Sequence, residues 1–426
     1  NTTIDPVNLH KILENLKIKK INNVILEASS HGLKQSRLDF LKFNTAIFTN
    51  LTRDHLDYHK TYKDYLNSKL ILFKNLLKKK SNIIYDNELS LSKVLKKICL
   101  NKKLKSLTIG NKSSDLIVVK HKYLGSSQKV DLLYKKNKYT FIVNLIGKIQ
   151  IKNILMSCLA AEASGIRFSK VINSIDNIRP VDGRLEKIGN IKNNSKVILD
   201  FAHTPDALKT SLENIKDQFK LNKINIVFGC GGDRDKQKRP IMGKIVNIFC
   251  DKVYLTDDNP RKEDPKKIRD QIKKTINKNK IIEISSREKA ISKAIEDLNS
   301  GDILLVAGKG HETYQEYAIK KNKFSDRKII IKEIKNKNKK LFNDWKINIL
   351  NKNCNLTKIN KKLLTNNVSI NSKNIKKNDI FFGIKGPNKD GNNYADEAIS
   401  KGAAFCVVNN IKSKNRKKIK VQNTLK

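Results

Sequence analysis

The sequence predicts an α/β protein with mainly parallel, doubly wound sheets, and three observations carry that prediction. Short apolar runs of about five residues alternate with stretches of helical spacing, the pattern of strands buried between helices. Many of the runs end in an acid or a glycine and pass into small-residue or charged loops. Between residues 196 and 307 the alternation is regular, with five strands and four helices. A chain of 426 residues has room for two or three domains, each with its own core.

Residues 7–19 have helical spacing, and Asn23-Val24-Ile25-Leu26-Glu27 reads as a buried strand ending in an acid. Thr45–Thr49 is a second apolar strand that runs into the polar turn Asn50–His59. A helix over Tyr62–Lys79 and a strand over Ser81–Tyr85 follow. Residues 86–145 read as strand and turn, and Leu155–Gly165 as a buried helix. A second α/β unit starts near Arg184. Its strands are Lys196–Asp200, Ile224–Phe228, Lys252–Thr256, Ile281–Ile284 and Asp302–Ala307. Its helices are Thr204–Phe219, Pro240–Phe249, Asp264–Asn277 and Arg287–Asn299. The strands end in Asp200, Gly229, Asp257 and Gly308, each followed by a small-residue or charged loop, and four such loops converging on one edge make a binding crevice. Residues 332–345 are lysine-rich and read as a linker. A third, smaller unit begins near 346, with strands at Ile380–Ile384 and Ala403–Val408 around a helix at Tyr394–Lys401.

Charge is the loudest bulk property, 88 Lys+Arg against 41 Asp+Glu for a formal +47. The excess is 76 lysines to 12 arginines, spread among Asn and Ile, with no zinc-finger spacing or aromatic ladder. Arginine, the usual base reader and phosphate clamp, is scarce, so no nucleic-acid partner is expected. Eight arginines, at 37, 53, 179, 184, 234, 239, 261 and 327, lie in Gly-, Pro-, Asp- or His-containing stretches. Where lysine is the cheaper choice, arginine can mark the need for a planar fork. The six cysteines show no ligand spacing, and four read as buried thiols of a reducing compartment. No signal peptide and no apolar run near the ~18 residues of a membrane span is seen, so no membrane insertion is expected; a cytoplasmic location, after the thiols, and a monomer are expected as well.

Several loops carry residues suited to chemistry. Glu27, His31 and His55 lie at or beyond strand ends, where a carboxylate and an imidazole suit a divalent cation, although Mg²⁺ prefers oxygen. Lys69 reads by itself as a solvated surface lysine. His203 sits between a strand and the Thr204-Pro205 helix start, which fits a phosphate or ribose contact and a plain N-cap equally. Gly229-Cys230-Gly231-Gly232-Asp233-Arg234 permits close approach of a ligand and adds an anion fork, without a nucleotide P-loop pattern. Asp257-Asp258-Asn259-Pro260-Arg261 reads either as a capped turn with a salt bridge or as a carboxylate clamp. Gly308-Lys309-Gly310-His311-Glu312 ends in an acid that can receive an ammonium. Arg234, Arg261 and Glu312 together suit one amino acid.

Taken in order, these motifs resemble the Mur ligases of peptidoglycan synthesis. The stretches are Asn1-Thr2-Thr3, Glu27–Asp39, Asn50–His59 with Lys69, Arg179–Glu186, Asp200–Leu208, Gly229–Gly243, Asp257–Arg261, Ala307–Glu312 and Ser325-Asp326-Arg327. The resemblance implies a partial central ATPase-like parallel-sheet domain over 1–183 and a Rossmann-like C-terminal domain over 184–338. It further implies a linker over 339–345 and, over 346–426, the start of the small N-terminal α/β domain of a second Mur ligase, the D-alanyl-D-alanine-adding one. The activity implied is ATP-dependent amide formation through an acyl phosphate, joining meso-2,6-diaminopimelate to UDP-N-acetylmuramoyl-L-alanyl-D-glutamate. Thr2, Thr3, Ser29, Gln35 and Arg37 would hold the UDP-muramoyl dipeptide. Glu27 and His55 would place Mg²⁺, with Lys69 carbamylated beside it. Asn153, Arg184, Asp200 and His203 would surround ATP. Arg234, Asp258, Asn259, Arg261, Gly308 and Glu312 would form the amino-acid pocket. Arg261 would meet the distal carboxylate of diaminopimelate, and L-lysine would leave that arginine buried without a partner.

Two departures from the family pattern stand out. Its Gly-Lys-Thr nucleotide loop would lie ahead of Asn1, so the chain by itself is expected to be inactive, as a piece of a longer, fused two-ligase polypeptide or a remnant. Ile149-Gln150 also replaces the usual Phe-Asn, which either disturbs a ribose or metal contact or is absorbed by packing. The same-class rival adds L-lysine. The different-class rival is a basic protein that binds polyanions in a salt-sensitive manner.

Overall fold

The structure is a computed structural model that describes residues 2–52, 55–318, 320–343, 368–386, 389–411, 415, 417–422 and 424. Arg53, Cys354 and the stretch 344–367, where the linker was expected to end and the third unit to begin, lie outside the described residues. The chain divides into two compact units, residues 1–188 with 196–330, and residues 189–195 with 331–426.

The first unit contains two six-stranded sheets. Helix α1 (Pro6–Ile18) starts where Asp5 accepts from the Asn8 amide and Pro6 opens the first turn. Helix α2 (Ser30–Lys34) is capped by Ser29. Strand β1 (Phe43–Phe48), helices α3 (Leu56–His59) and α4 (Tyr62–Asn75), and strand β2 (Leu77–Asp86) follow. Then come helix α5 (Ser92–Lys102), strands β3 (Lys105–Gly110), β4 (Leu116–Leu124), β5 (Ser127–Tyr134) and β6 (Asn137–Val143), and helices α6 (Lys148–Ala163) and α7 (Phe168–Asn173). β1 to β4 are parallel and β4 to β6 form an antiparallel meander. Side chains alternate across the sheet. Ile83 and Tyr85 join Leu70, Phe73 and Leu95 of α4 and α5, whereas Ile84 joins Leu155 and Leu159 of α6.

Four expectations for this half are corrected. Residues 23–27 form no strand, and Ile25 is 97% exposed. No described strand supplies a ladder for them, and an apolar run without a ladder has no reason to be sheet. α4 ends at Asn75, because Leu77 pairs with Phe43 and carries the chain into β2. The stretch 86–145 includes a full helix, α5, whose Leu95, Ile98 and Cys99 form the buried stripe. α6 begins at Lys148 rather than Leu155.

The second sheet follows expectation closely. It comprises β7 (Glu186–Ile188), β8 (Lys196–Asp200), β9 (Ile224–Phe228), β10 (Lys252–Leu255), β11 (Ile281–Glu283) and β12 (Ile303–Ala307), ordered β11-β10-β9-β12-β8-β7. All pairs are parallel except β7 with β8. Helices α8 (Pro205–Gln218), α9 (Lys238–Phe249) and α10 (Pro265–Lys273) pack on one face, through Leu212, Val246 and Ile272 among others. Helix α11 (Arg287–Glu296) covers the other face. The chain steps from β8 past β12 to β9 and returns to fill the gap, which creates the switch point where open α/β sheets bind ligands. A hairpin, β13 (Tyr314–Tyr317) with β14 (Lys320–Lys323), and helix α12 (Asp326–Asn343) complete the order. Residues 332–343, expected as linker, continue α12; Ile330 and Ile334, four apart, are both buried.

The two sheets are joined through α8. Gly147, at φ +88°, donates to Gln218 Oε1 at 2.9 Å, and the Ile149 amide donates to Asn214 Oδ1 at 3.1 Å.

In the second unit, β15 (Val368–Ser369), β16 (Ile380–Phe382), β17 (Phe405–Val408) and β18 (Lys418–Lys420) form a parallel sheet in that order. Helix α13 (Ala395–Ser400) packs Ala395 and Ala398 against Phe381, Cys406 and Val408. All five described cysteines are buried. No helix of the described residues is long and apolar enough to cross a membrane.

Candidate active site

The carboxyl ends of β8, β9, β10 and β12 open onto a cavity of about 370 Å³, whose wall also includes His31 and His55 from the first half. Of the residues singled out in the sequence, His55, His203, Arg234, Asp258, Asn259, Arg261, Gly308 and Glu312 line it. The six proposed for an amino acid are thus brought together.

The turn after β10 is held by its neighbours. Arg261, at φ +52°, takes a left-handed conformation that is costly for a side chain of its size. Backbone bonds to the hairpin enforce it: the Arg261 amide donates to the Glu316 carbonyl at 3.1 Å, and the Ala318 amide to the Arg261 carbonyl at 2.6 Å. The Arg261 guanidinium gives Nη1 to the Gly232 carbonyl at 2.8 Å and sets Nε 3.3 Å from Glu316 Oε2. It is therefore not a buried group that lacks a partner when no distal carboxylate is bound, as the sequence reading supposed. Two of its three nitrogens are thus anchored within the protein, on a residue that lines the cavity.

The glycine-rich loop has a different first duty from the one expected of it. A Cβ on Gly232 would lie 1.8 Å from the Pro260 carbonyl oxygen, and one on Gly229 would lie 2.2 Å from that of Thr256. These glycines admit the backbone of the Asp-Asn-Pro-Arg turn, and a Cβ on Gly231 would instead press on Arg261 Nη1, the nitrogen bonded to the Gly232 carbonyl. The loop and turn are also stapled by charge. Arg239, fully buried, forks onto both oxygens of Glu263 at 2.9 and 3.0 Å, while Glu263 Oε1 takes the Asp233 amide. The Arg239 bonds hold the Glu263 carboxyl down at about 2.

Two residues that the sequence did not single out for a role shape the pocket floor. Lys309 is fully buried, and its ammonium bonds Asn259 Oδ1 and Glu312 Oε2, each at 2.9 Å. Asn259 Nδ2 donates to the same Glu312 oxygen at 3.1 Å. Glu312, expected to await a ligand's ammonium, already holds one from the protein. Arg287, also fully buried, forks onto Asp326 at 2.8 and 2.7 Å. The only signals in the sequence were Lys309 between two glycines after a strand and an arginine at a helix start.

The expected nucleotide contacts are placed less uniformly. Arg184 lies over the Phe201 ring at 4.8 Å, and the same ring lies 4.6 Å from His203. His203 Nδ1 shares a hydrogen bond with the Phe201 carbonyl at 2.9 Å. Asp200, by contrast, is turned inward. It accepts from the Leu185 and Phe201 amides and from Ser211 Oγ, and burial pushes its carboxyl upward. Asn153 is exposed on α6 and does not line the cavity. At the Gln150 departure, Nε2 donates to the Arg184 carbonyl at 3.1 Å.

Four of the five residues expected to hold the dipeptide substrate form one polar cluster; Thr2 is exposed beside it. Thr3 Oγ1 meets the Glu27 carbonyl at 3.0 Å and Ser29 Oγ at 2.8 Å. Arg37 donates to the Thr3 carbonyl at 2.8 Å and to Gln35 Oε1, and Gln35 donates to Tyr58 Oη at 3.0 Å. Tyr58 stacks at 4.2 Å on His31, which meets His55 at 4.8 Å, so the cluster connects to the cavity wall.

Glu27 is exposed and does not reach that wall. Lys69 is half-buried, with its ammonium 3.3 Å from the Asn50 carbonyl and 5.1 Å from the Tyr65 ring, which also neighbours His55 at 5.8 Å. Among the described residues no group of three or more His, Cys, Asp or Glu is arranged to hold a metal ion.

Comparison with known proteins gives this geometry a context. A family model for the Mur ligase middle domain matches residues 1–161, and one for the Mur ligase glutamate ligase domain matches residues 183–310. The UDP-N-acetylmuramoyl-L-alanyl-D-glutamate--2,6-diaminopimelate ligase of Rickettsia rickettsii is 41% identical over 335 residues, 78% of this chain and 69% of that protein. That of Chelativorans sp. is 39% identical over 334 residues, 78% of this chain and 68% of the other. A solved structure of a ligase with the same description has 31% identity and a TM-score of 0.56, covering 80% of this chain and 69% of that one. A MurF ligase from Thermotoga maritima, solved with ADP, shares the fold at 17% identity, with a TM-score of 0.53 over 74% of this chain and 65% of its own.

Proposed function

The chain belongs to the Mur ligase family, and on that premise we propose that its cavity takes meso-2,6-diaminopimelate for ATP-dependent attachment to UDP-N-acetylmuramoyl-L-alanyl-D-glutamate. One observation carries this reading. Arg234 and Arg261 line the same cavity as Asp258 and Glu312, a set of two forks and two acids for an amino acid with two carboxylates and two ammonium groups. Arg261 Nη2 takes the distal carboxylate, and Asp258 and Glu312 take ammonium groups. The Thr3–Ser29–Gln35–Arg37 cluster orients the acceptor, with Tyr58 and His31 leading toward the cavity. Arg184, Phe201 and His203 offer a cation–aromatic platform for the nucleotide, and ATP supplies the phosphoryl group that activates the acceptor carboxylate.

The residues present do not by themselves fit Mg²⁺. Glu27 is exposed, and Lys69 as an ammonium repels a cation. Carbamylation would reverse the sign at Lys69, and intact-mass measurement in bicarbonate tests for it. No step here is routed through the metal.

The function is tested by supplying labelled meso-diaminopimelate or L-lysine with the UDP-dipeptide and ATP. The chain is assayed alone and joined to an upstream Mur ligase segment that carries a Gly-Lys-Thr loop. Because Arg261 is already bonded to Gly232, the discrimination comes from one added charge-assisted bond. Its expected size is ~10- to 100-fold in favour of diaminopimelate, lost in Arg261→Ala. Equal incorporation of the two amino acids overturns the reading.

A further inference from the structure

We infer that Arg287 is a positioning residue for the amino-acid pocket, holding Asp258 through a guanidinium nitrogen that its partner Asp326 leaves unbonded. The inference rests on the amino-acid reading of the cavity. Arg287 opens α11 after the Ser286 cap, and its side chain is wholly buried. Nε and Nη2 bond the two oxygens of Asp326, itself fully buried at the start of α12, and Nη2 also reaches the Ala307 carbonyl at 2.9 Å. Those bonds complete a staple between α11, β12 and α12. Nη1 is not needed for it, yet it is buried and has no hydrogen-bond partner among the described residues.

Buried polar atoms are almost always bonded, and a cationic nitrogen is an expensive exception. The acid facing Nη1 is Asp258, with Oδ2 3.9 Å away. Gly308 keeps that space open, since a Cβ there would sit 2.7 Å from the same oxygen. Arg287 thus attracts one carboxylate oxygen of Asp258, a residue that lines the cavity. This also gives a use to Ser325-Asp326-Arg327, a motif that the pocket residues leave unexplained. Asp326 anchors Arg287, and Arg327 bonds Glu186 and, at 2.8 Å, Asp182.

The test is calorimetric titration of the full chain with meso-diaminopimelate, with thermal unfolding in parallel. Arg287 is replaced together with its partner, Arg287→Met with Asp326→Leu, so that no charge is left buried alone. Affinity is expected to fall ~10-fold or more while the protein stays folded. Placed on Asp258→Asn, whose amide oxygen still accepts from an ammonium, the pair of changes should add no further loss. If the paired variant does not fold, Arg287→Lys carries the same comparison, because one ammonium cannot serve Asp326 and Asp258 together. Unchanged affinity in a folded variant, or an undiminished loss on the Asp258→Asn background, overturns the inference alone. Failure of the unaltered chain to bind the amino acid overturns the pocket reading and this inference with it.

Discussion

Gly232 and the Pro260 carbonyl oxygen leave no room for a methyl group between them, and the conflict is backbone against side chain. Gly232→Ala is therefore expected to cost about 2 kcal/mol or more in urea unfolding and to weaken diaminopimelate binding. Gly125→Ala is the control. With nothing within 4 Å of its Cβ and φ at +63°, it should show only the ~1 kcal/mol strain of a left-handed residue. His59 makes a separate prediction about pH. Burial lowers its pKa, His31 adds to the effect, and its ring meets Ser30 Oγ at 2.9 Å. The folded state resists protonating it, so its contribution is present above the ordinary value of 6.5 and is lost as pH falls from there through the lowered folded value. His59→Gln should flatten the fall of stability between about pH 7 and 5, read from midpoints of denaturant unfolding. Residues that announced themselves in the sequence were those whose type is rare here or fixed by a turn, such as Arg261 and the glycines. Lys309 stood out only by its place between two glycines among 76 lysines, and Asp200, expected at a strand end beside the nucleotide, turns its carboxylate into the fold.

Among elements, the loop after β9 and the turn after β10 behave as one piece because Arg239 and Glu263 clamp them. The Glu263 carboxyl is held at about 2 against an ordinary 4.5, so its contribution is complete above 4.5 and disappears as pH falls toward 2. Glu263→Gln should remove that acid limb of the stability profile and leave Arg239 buried without its counter-ion, at about 3 kcal/mol near neutral pH. The second sheet was readable element by element because its central strands are buried on both faces and its helices carry caps such as Asp264 and Ser286. The first half was less so. Residues 23–27 carry a strand's composition, but strand pairing is a property of distant chain that composition does not encode. Helix α5 was hidden because Leu95, Ile98 and Cys99 are a thin stripe among lysines, and the hairpin strand Lys320–Lys323 buries nothing.

For the whole molecule the governing quantity is +47. Like charges spread over the surface oppose compactness and are screened over about 10 Å at 0.1 M salt. Thermal midpoints should therefore rise when sodium chloride increases from ~10 to ~200 mM, whatever the site binds. The polyanion-binding alternative makes the opposite demand on the site. It requires nucleic-acid affinity that falls steeply with salt, and Arg261→Ala should then leave the protein's function untouched. On the proposed reading the chemistry belongs to a small set of forks and acids lining one cavity, to which the surface lysines contribute little.

The fit of Gly229 and Gly232 against Thr256 and Pro260 also sets what can be inherited or grafted. The turn after β10, moved alone into a relative, would meet a side chain wherever that relative lacks the matching glycine. The smallest transferable cassette is thus two segments about thirty residues apart in sequence, and recombination that separates them yields a chain whose loop and turn no longer fit together.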